Sequence, residues 1–362
     1  MNFEDFKEEL SKQLGKELYE RGIGECEMET RTVDKMNSSY EALTIKPEGA
    51  EVGISLNVGE LYKEYNKGAG MDVIVKHATE MAATSLKNAP DFDIDSFKDY
   101  NRMKNTLSME IVSSERNADL LKSVPHTDIE DMSVVYRFQV VTSGKDVGSI
   151  LVTNQMLDNY GVTPEQLHDD AIRNAPEIRP LVIQGMGEVL AHQMGVEDLE
   201  MLGLNIPPEQ EKMFVATVEG NVHGAGVIAY EDFMDKASER VGGSFYILPS
   251  SIHEILIIPD DGNFDLHYLE NMVKEVNETA VDPADKLTDS VYHYDSRDKI
   301  FELGEKFVER QQNLEKAEAK EAEAGEKKSL LGELKTAKEE ASKKPAKDAH
   351  EKEHKDKGGN AI

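Results

Sequence analysis

In three places this chain runs a short apolar strand directly into a helix. Gly53-Ile54-Ser55-Leu56 leads to Leu61-Tyr62, Ser149-Ile150-Leu151-Val152 to Met156-Leu157, and Val227-Ile228-Ala229 to Phe233-Met234. Turn residues precede each strand: Pro47-Glu48-Gly49, Ser143-Gly144-Lys145-Asp146, and Gly220 to Gly224. Each strand therefore reads as the second arm of a hairpin. Strands joined by tight turns must be antiparallel, because a parallel pair needs a long crossover between its strands. The expected class is α+β, with antiparallel hairpins each followed by a helix rather than a doubly wound parallel sheet. Spacings of 95 and 77 residues between Leu61, Met156 and Phe233 are too unequal for a solenoid.

Other elements follow from periodicity. Phe3, Phe6, Leu10, Leu14 and Leu18 recur at helical spacing, and Gly22 and Gly24 end that helix. Strands are expected at 42–45, 52–58, 132–141, 149–152, 213–218, 226–229, 245–248 and 252–258, with helices at 59–66, 71–87 and 231–240. A further helix is expected to begin in the acidic stretch Asp91 to Asp99. Thr163-Pro164-Glu165-Gln166 predicts a helix start, because Thr163 can cap, Pro164 suits the first helical position, and Gln166 completes a capping box. A chain of 362 residues exceeds what one core usually supports. Two packed lobes are expected, 1–125 and 126–305, meeting near Pro125-His126. Residues 306–362 read as a frayed helix and a disordered Ala/Glu/Lys-rich tail. In that reading Ile300, Phe301, Leu303, Phe307 and Leu314 form the stripe of a helix running from Asp298 to about Glu323, and Lys344-Pro345 stops whatever helix remains.

The charge is unevenly placed. From Gln311 onward 12 Lys face 12 Asp+Glu, so the preceding body, with 29 basic and 59 acidic residues, carries the whole net charge of -30. A body of that sign repels phosphate backbones, which argues against direct nucleic-acid binding and for a basic protein partner. No apolar run reaches the roughly 18 residues of a membrane span, and the acidic opening Met1-Asn2-Phe3-Glu4-Asp5-Phe6 does not resemble a signal peptide. The expected location is the cytoplasm. The single cysteine, Cys26, can build neither an internal disulfide nor a thiolate metal cage.

Catalytic signatures fail on context. His350-Glu351-Lys352-Glu353-His354 spells a zinc-peptidase motif inside a charged tail, where no packed helix, third ligand or closed cleft is expected. Asp91-x-Asp93-x-Asp95 starts like a calcium loop, but Ser96 and Arg102 stand where Gly and Glu belong. Gly224-Ala225-Gly226-Val227-Ile228-Ala229 fits a dinucleotide fingerprint, yet its glycines lead into an expected strand instead of a helix. No metal or cofactor is expected. Pro249-Ser250-Ser251-Ile252-His253-Glu254 remains, with two hydroxyls, an imidazole and a carboxylate between apolar strands. In an unbroken strand His253 and Glu254 point to opposite faces, which favours a structural turn with His253 hydrogen-bonded.

Leu248 to Glu254, Val273-Lys274-Glu275-Val276-Asn277-Glu278-Thr279 and Leu287-Thr288-Asp289-Ser290-Val291-Tyr292-His293-Tyr294, with the opening Met1 to Lys7, resemble a domain-of-unknown-function family of anaerobic Firmicutes. Its members often sit among mobile-element genes, and the resemblance covers residues 1 to about 305. Val152 to Asn174 resembles a second uncharacterised, Bacillus-type family. Neither resemblance implies an activity. The candidate binding residues are Pro249, Ser250, Ser251, His253, Glu254 and Asn277. Three functions follow as expectations: a non-enzymatic interaction or accessory protein with an acidic body, a DNA mimic that blocks a DNA-binding protein, or a hydrolase or ligand pocket around Ser250, Ser251 and His253.

Overall fold

A computed structural model of the chain describes residues 1–50, 52–87, 94–141, 147–194 and 210–342. The Ser143–Asp146 turn, Asp91 to Asp93 of the calcium-like motif, Pro345 and the His350–His354 motif lie outside the described residues. The fold is α+β, as expected. Contacts divide the chain into a unit Met1–Glu305 and a second from Lys306.

The first unit opens with helix α1 (Phe3–Glu20), capped by Asn2, and the strands β1 (Cys26–Lys35), β2 (Ser38–Pro47) and β3 (Ile54–Asn57). Helices α2 (Val58–Asn66) and α3 (Met71–Lys87) follow. The strands make an antiparallel sheet in the order β1-β2-β3. Phe6, Leu10, Leu14 and Leu18 of α1, with Leu43, Ile45, Leu56, Ile74 and Ala78, form a core confined to this part of the chain. The arm β1 was not expected, because Glu27, Glu29, Arg31, Asp34 and Lys35 hide its pattern. It forms because its Cα partners run without interruption along β2.

Two single-turn helices, α4 (Ile94–Phe97) and α5 (Tyr100–Met103), lead to β4 (Leu107–Ser113), the short α6 (Ala118–Leu121), β5 (His126–Ile129), β6 (Met132–Val141) and β7 (Val147–Leu151). β6 is central: β4 pairs along one side, while β5 and β7 share the other. β4 and β6 lie on either side of Pro125 in sequence and pair over seven residues. Helices α7 (Asn154–Tyr160) and α8 (Pro164–Ile178) follow, and α8 starts as expected, with Thr163 Oγ1 accepting the Gln166 N–H.

The third sheet is six-stranded and antiparallel throughout. In chain order its region contains β8 (Leu181–Gly185), α9 (Met186–Met194), β9 (Phe214–Val218), a 3-10 helix (Gly224–Ala229), α10 (Phe233–Val241), β10 (Phe245–Leu248), β11 (Ile255–Pro259), α11 (Leu266–Thr279), β12 (Tyr292–Asp295) and β13 (Ile300–Leu303). Helix α12 spans Gly304–Ser342. One large core joins the second and third sheets through Met109, Val134, Phe138, Val227, Ile255 and Tyr292.

The structure corrects three expectations. Gly226–Ala229 is a 3-10 helix, not a strand, because the segment is wedged between neighbours. A Cβ on Gly226 would stand 2.3 Å from the Met109 carbonyl oxygen, and the Gly224 and Ala225 N–H groups donate to the His253 and Ile252 carbonyls. The third hairpin-then-helix unit is therefore β10-β11-α11, and β12-β13-α12 repeats the order. Ile300, Phe301 and Leu303 lie in β13, where Phe301 stacks on Tyr292 with ring centroids 5.4 Å apart. They belong to no helical stripe. Finally, α12 continues past Glu323 to Ser342.

Candidate functional site

Within the expected Ile252–Ile258 strand, β11 begins only at Ile255, because the backbone groups before it are committed elsewhere. On one side the Ser250 carbonyl accepts the Leu287 N–H at 3.0 Å, the Ile252 N–H donates to the Asp285 carbonyl at 2.9 Å, and Ser251 bridges Lys286. On the other side the Ile252 and His253 carbonyls hold the 3-10 helix, and the Thr217 hydroxyl also donates to the His253 carbonyl at 2.8 Å. Pro249 and Ser251 are buried, while Ser250, His253 and Glu254 are half-buried. The segment stitches together elements from both sides.

Its side chains are similarly committed. Ser251 Oγ accepts the His253 backbone N–H at 3.0 Å. The His223 backbone N–H donates to His253 Nδ1 at 3.1 Å. That bond assigns the neutral ring's proton to Nε2, which faces Asp285 Oδ2 at 3.4 Å. Among the described residues no hydrogen bond joins either serine hydroxyl to the imidazole, so the hydroxyl–base pair that activates a nucleophile is not assembled.

Asn277, buried on α11, donates through Nδ2 to the Thr288 carbonyl at 2.9 Å and to Asp289 Oδ1 at 2.6 Å. Its Oδ1 is buried with no donor among the described residues. Asn277 and the Pro249–Glu254 segment are thus tied to successive parts of one loop, residues 285–289. Beside that loop a polar cleft of about 570 Å³ is lined by Arg116, Asp131, Asn277, Lys286 and Ser290 among others. Asp131 accepts the hydroxyls of Thr288 at 3.0 Å, Ser290 at 2.9 Å and Tyr292. Burial, reinforced by Asp131, pushes the Tyr292 hydroxyl far above its ordinary range.

A deeply buried charge lies elsewhere, at a residue not among those expected from the sequence. Glu110 stands on β4, 3% exposed. Arg137 Nε on β6 donates to its Oε2 at 2.6 Å, and His223 Nδ1 lies 3.0 Å from its Oε1. Burial alone would push this carboxyl up, but the His223 hydrogen bond and the Arg137 charge together hold it below the ordinary glutamate value. His223 takes the left-handed conformation, φ 52°, which is uncommon outside glycine and aims its ring at Glu110. The two imidazoles sit edge to face, with centroids 5.4 Å apart. A cleft of about 550 Å³ opens here, lined by Glu110, Gln139, Ser149, Arg179, Glu219 and His223 among others. One sequence signal was present: Glu110 interrupts the apolar run Met109, Ile111, Val112, and a carboxylate in such a run must find partners. The partners themselves are 27 and 113 positions away in sequence.

Chemically, the Glu110 cluster is a closed ion-pair and hydrogen-bond network, and the cluster around residues 285–289 is closed except at Asn277 Oδ1. Among the described residues no three His, Cys, Asp or Glu side chains converge to hold a metal ion.

A family model described as a family of unknown function (DUF5688) matches residues 3–296, and the chain belongs to that family. No curated protein and no solved structure matches the chain.

Proposed function

We propose that this member of a family of unknown function is a non-enzymatic interaction protein, whose acidic unit engages a basic protein partner in the cytoplasm. One observation carries the reading. Among the described residues many acidic side chains of the unit are exposed, such as Glu4, Asp5 and Glu8 on α1, Glu165, Asp169 and Glu177 on α8, and Glu231 and Asp232 before α10. Dense exposed charge of one sign steers association with a partner of the opposite sign. The mobile-element setting that the sequence resemblance implies would supply DNA-binding proteins as such partners.

The test is capture on the immobilised full chain, followed by titration of each purified captured protein. The expected partner is net positive and binds at least about tenfold more weakly at ~300 mM than at ~50 mM salt, as screening of exposed charges requires. A partner displaced by duplex DNA would identify the DNA-mimic form of this function. Capture of neutral or acidic proteins alone, with salt-insensitive binding, would overturn the proposal.

A further inference from the structure

Strand β1 is a long sheet edge protected by charged side chains alone along most of its length. It is ten residues long, pairs with β2 in unbroken register from Cys26↔Pro47 to Lys35↔Ser38, and stands first in the sheet order, so no described strand covers its other side. Edges of this kind accept another strand unless a proline, a bulge, a covering element or charged side chains blunt them, and charges blunt an edge only against a partner that cannot pair them. β1 has no proline and no bulge. Cys26 and Met28 pack on the N-terminal core, whereas Glu27, Glu29 and Arg31 on the alternate face are exposed. Neither Glu29 nor Arg31 makes an ion pair with a described side chain. The exposed face runs Glu25, Glu27, Glu29, then Arg31 and Lys35, acidic at its start and basic at its end. An antiparallel copy of the same strand presents the opposite order.

We propose that β1 is a homodimerisation edge, with two copies of the chain pairing their β1 strands antiparallel about a two-fold axis at Thr30. Charge selects the register. Pairing about Thr30 sets Glu29 opposite Arg31 twice and Glu25 opposite Lys35 twice. Centring the axis on Glu29 or Arg31 instead sets two like charges directly opposite each other, which destabilises a strand pair. Centring it between residues turns the exposed face of one copy toward the helix-covered side of the other. Ladder hydrogen bonds supply affinity, the side chains supply register, and the isologous contact consumes both β1 edges. At about 0.15 M salt the screening length is ~8 Å, so the acidic bodies repel little beyond the contact itself.

Sedimentation velocity on the full chain from about 1 to about 200 µM should show a dimer whose fraction rises with concentration. Arg31→Glu should weaken it at least about tenfold, and the double variant Glu29→Arg/Arg31→Glu should restore it to within about threefold of the parent, with circular dichroism confirming that both remain folded. A chain monomeric throughout that range would overturn the proposal. So would a dimer indifferent to Arg31→Glu, or a double variant as weak as the single one.

Discussion

Asn37 and Asn117 clasp each other across 80 positions of sequence. The Asn37 backbone N–H donates to Asn117 Oδ1 at 2.7 Å, and Asn117 Nδ2 donates to Asn37 Oδ1 at 2.9 Å. Asn37 Nδ2 also donates to the Ala284 and Lys286 carbonyls at 2.8 Å each. Asn37 sits at the β1–β2 tip in the left-handed conformation, φ 59°, which asparagine tolerates better than most residues. The clasp pins the long hairpin to the loop that also holds Ser250 to Ile252.

Asn117→Ala should destabilise the protein by about 2–3 kcal/mol, because Asn117 is buried and its loss leaves the Asn37 N–H without an acceptor. Urea unfolding measures this. A loss below about 0.5 kcal/mol would show that the hairpin tip is held by other contacts.

Gly226→Ala should cost about 2–4 kcal/mol. The added methyl would meet the Met109 carbonyl oxygen at 2.3 Å and the Glu110 Cα at 3.1 Å, backbone atoms that cannot rotate away, so the 3-10 helix and β4 must separate. A melting temperature equal to the parent's would mean that the two elements are not in that contact in solution.

The Glu110 carboxyl is held below its ordinary value in the folded state, so its contribution to stability has a definite sign. It is fully present above the unfolded-state value of about 4.3 and is lost as pH falls through the lower folded value. Glu110→Gln should therefore be less stable than the parent at pH 7 by about 2–4 kcal/mol, with the gap narrowing below about pH 4. Unfolding free energies of both proteins across that range decide it, and a gap that stays constant or widens in acid would contradict the assignment.

His253→Ala should lower stability by about 1–3 kcal/mol, because the His223 N–H loses its acceptor and the turn that aims His223 at Glu110 loosens. Any partner binding should fall only in step with unfolding. A variant that melts with the parent but no longer binds would make His253 a contact residue.

Deleting everything after Glu323 should leave the melting temperature of the first unit within about 2 °C, since Leu330, Leu331 and Leu334 of α12 are exposed and exposed leucines add little to a packed core. A larger drop, followed by differential scanning calorimetry, would show that these leucines are buried in solution.

Thr163, Pro164 and Gln166 placed a helix start from four consecutive residues, because a cap satisfies its own turn and needs nothing distant. The α1 stripe and the antiparallel class were legible for the same reason: a 3.6-residue period and a short turn between two strands are both local properties. Ile300, Phe301 and Leu303 suit either period, and the presence of Tyr292 to Asp295 as a pairing strand, a tertiary fact, made them β13. Gly224 to Ala229 likewise became 3-10 because β4 and β9 close on it from both sides. The Pro249–Glu254 segment could be picked out by its polar side chains, but its partners at residues 285–287 could not. Glu110 marks the limit most clearly. Its place between Met109 and Ile111 is a signal that was open to reading and not used, while the arginine and histidine that keep it ionised come from β6 and the turn before the 3-10 helix. Coulombic and hydrogen-bonding partners are fixed by distance in space, and only the packed sheets bring those residues within reach.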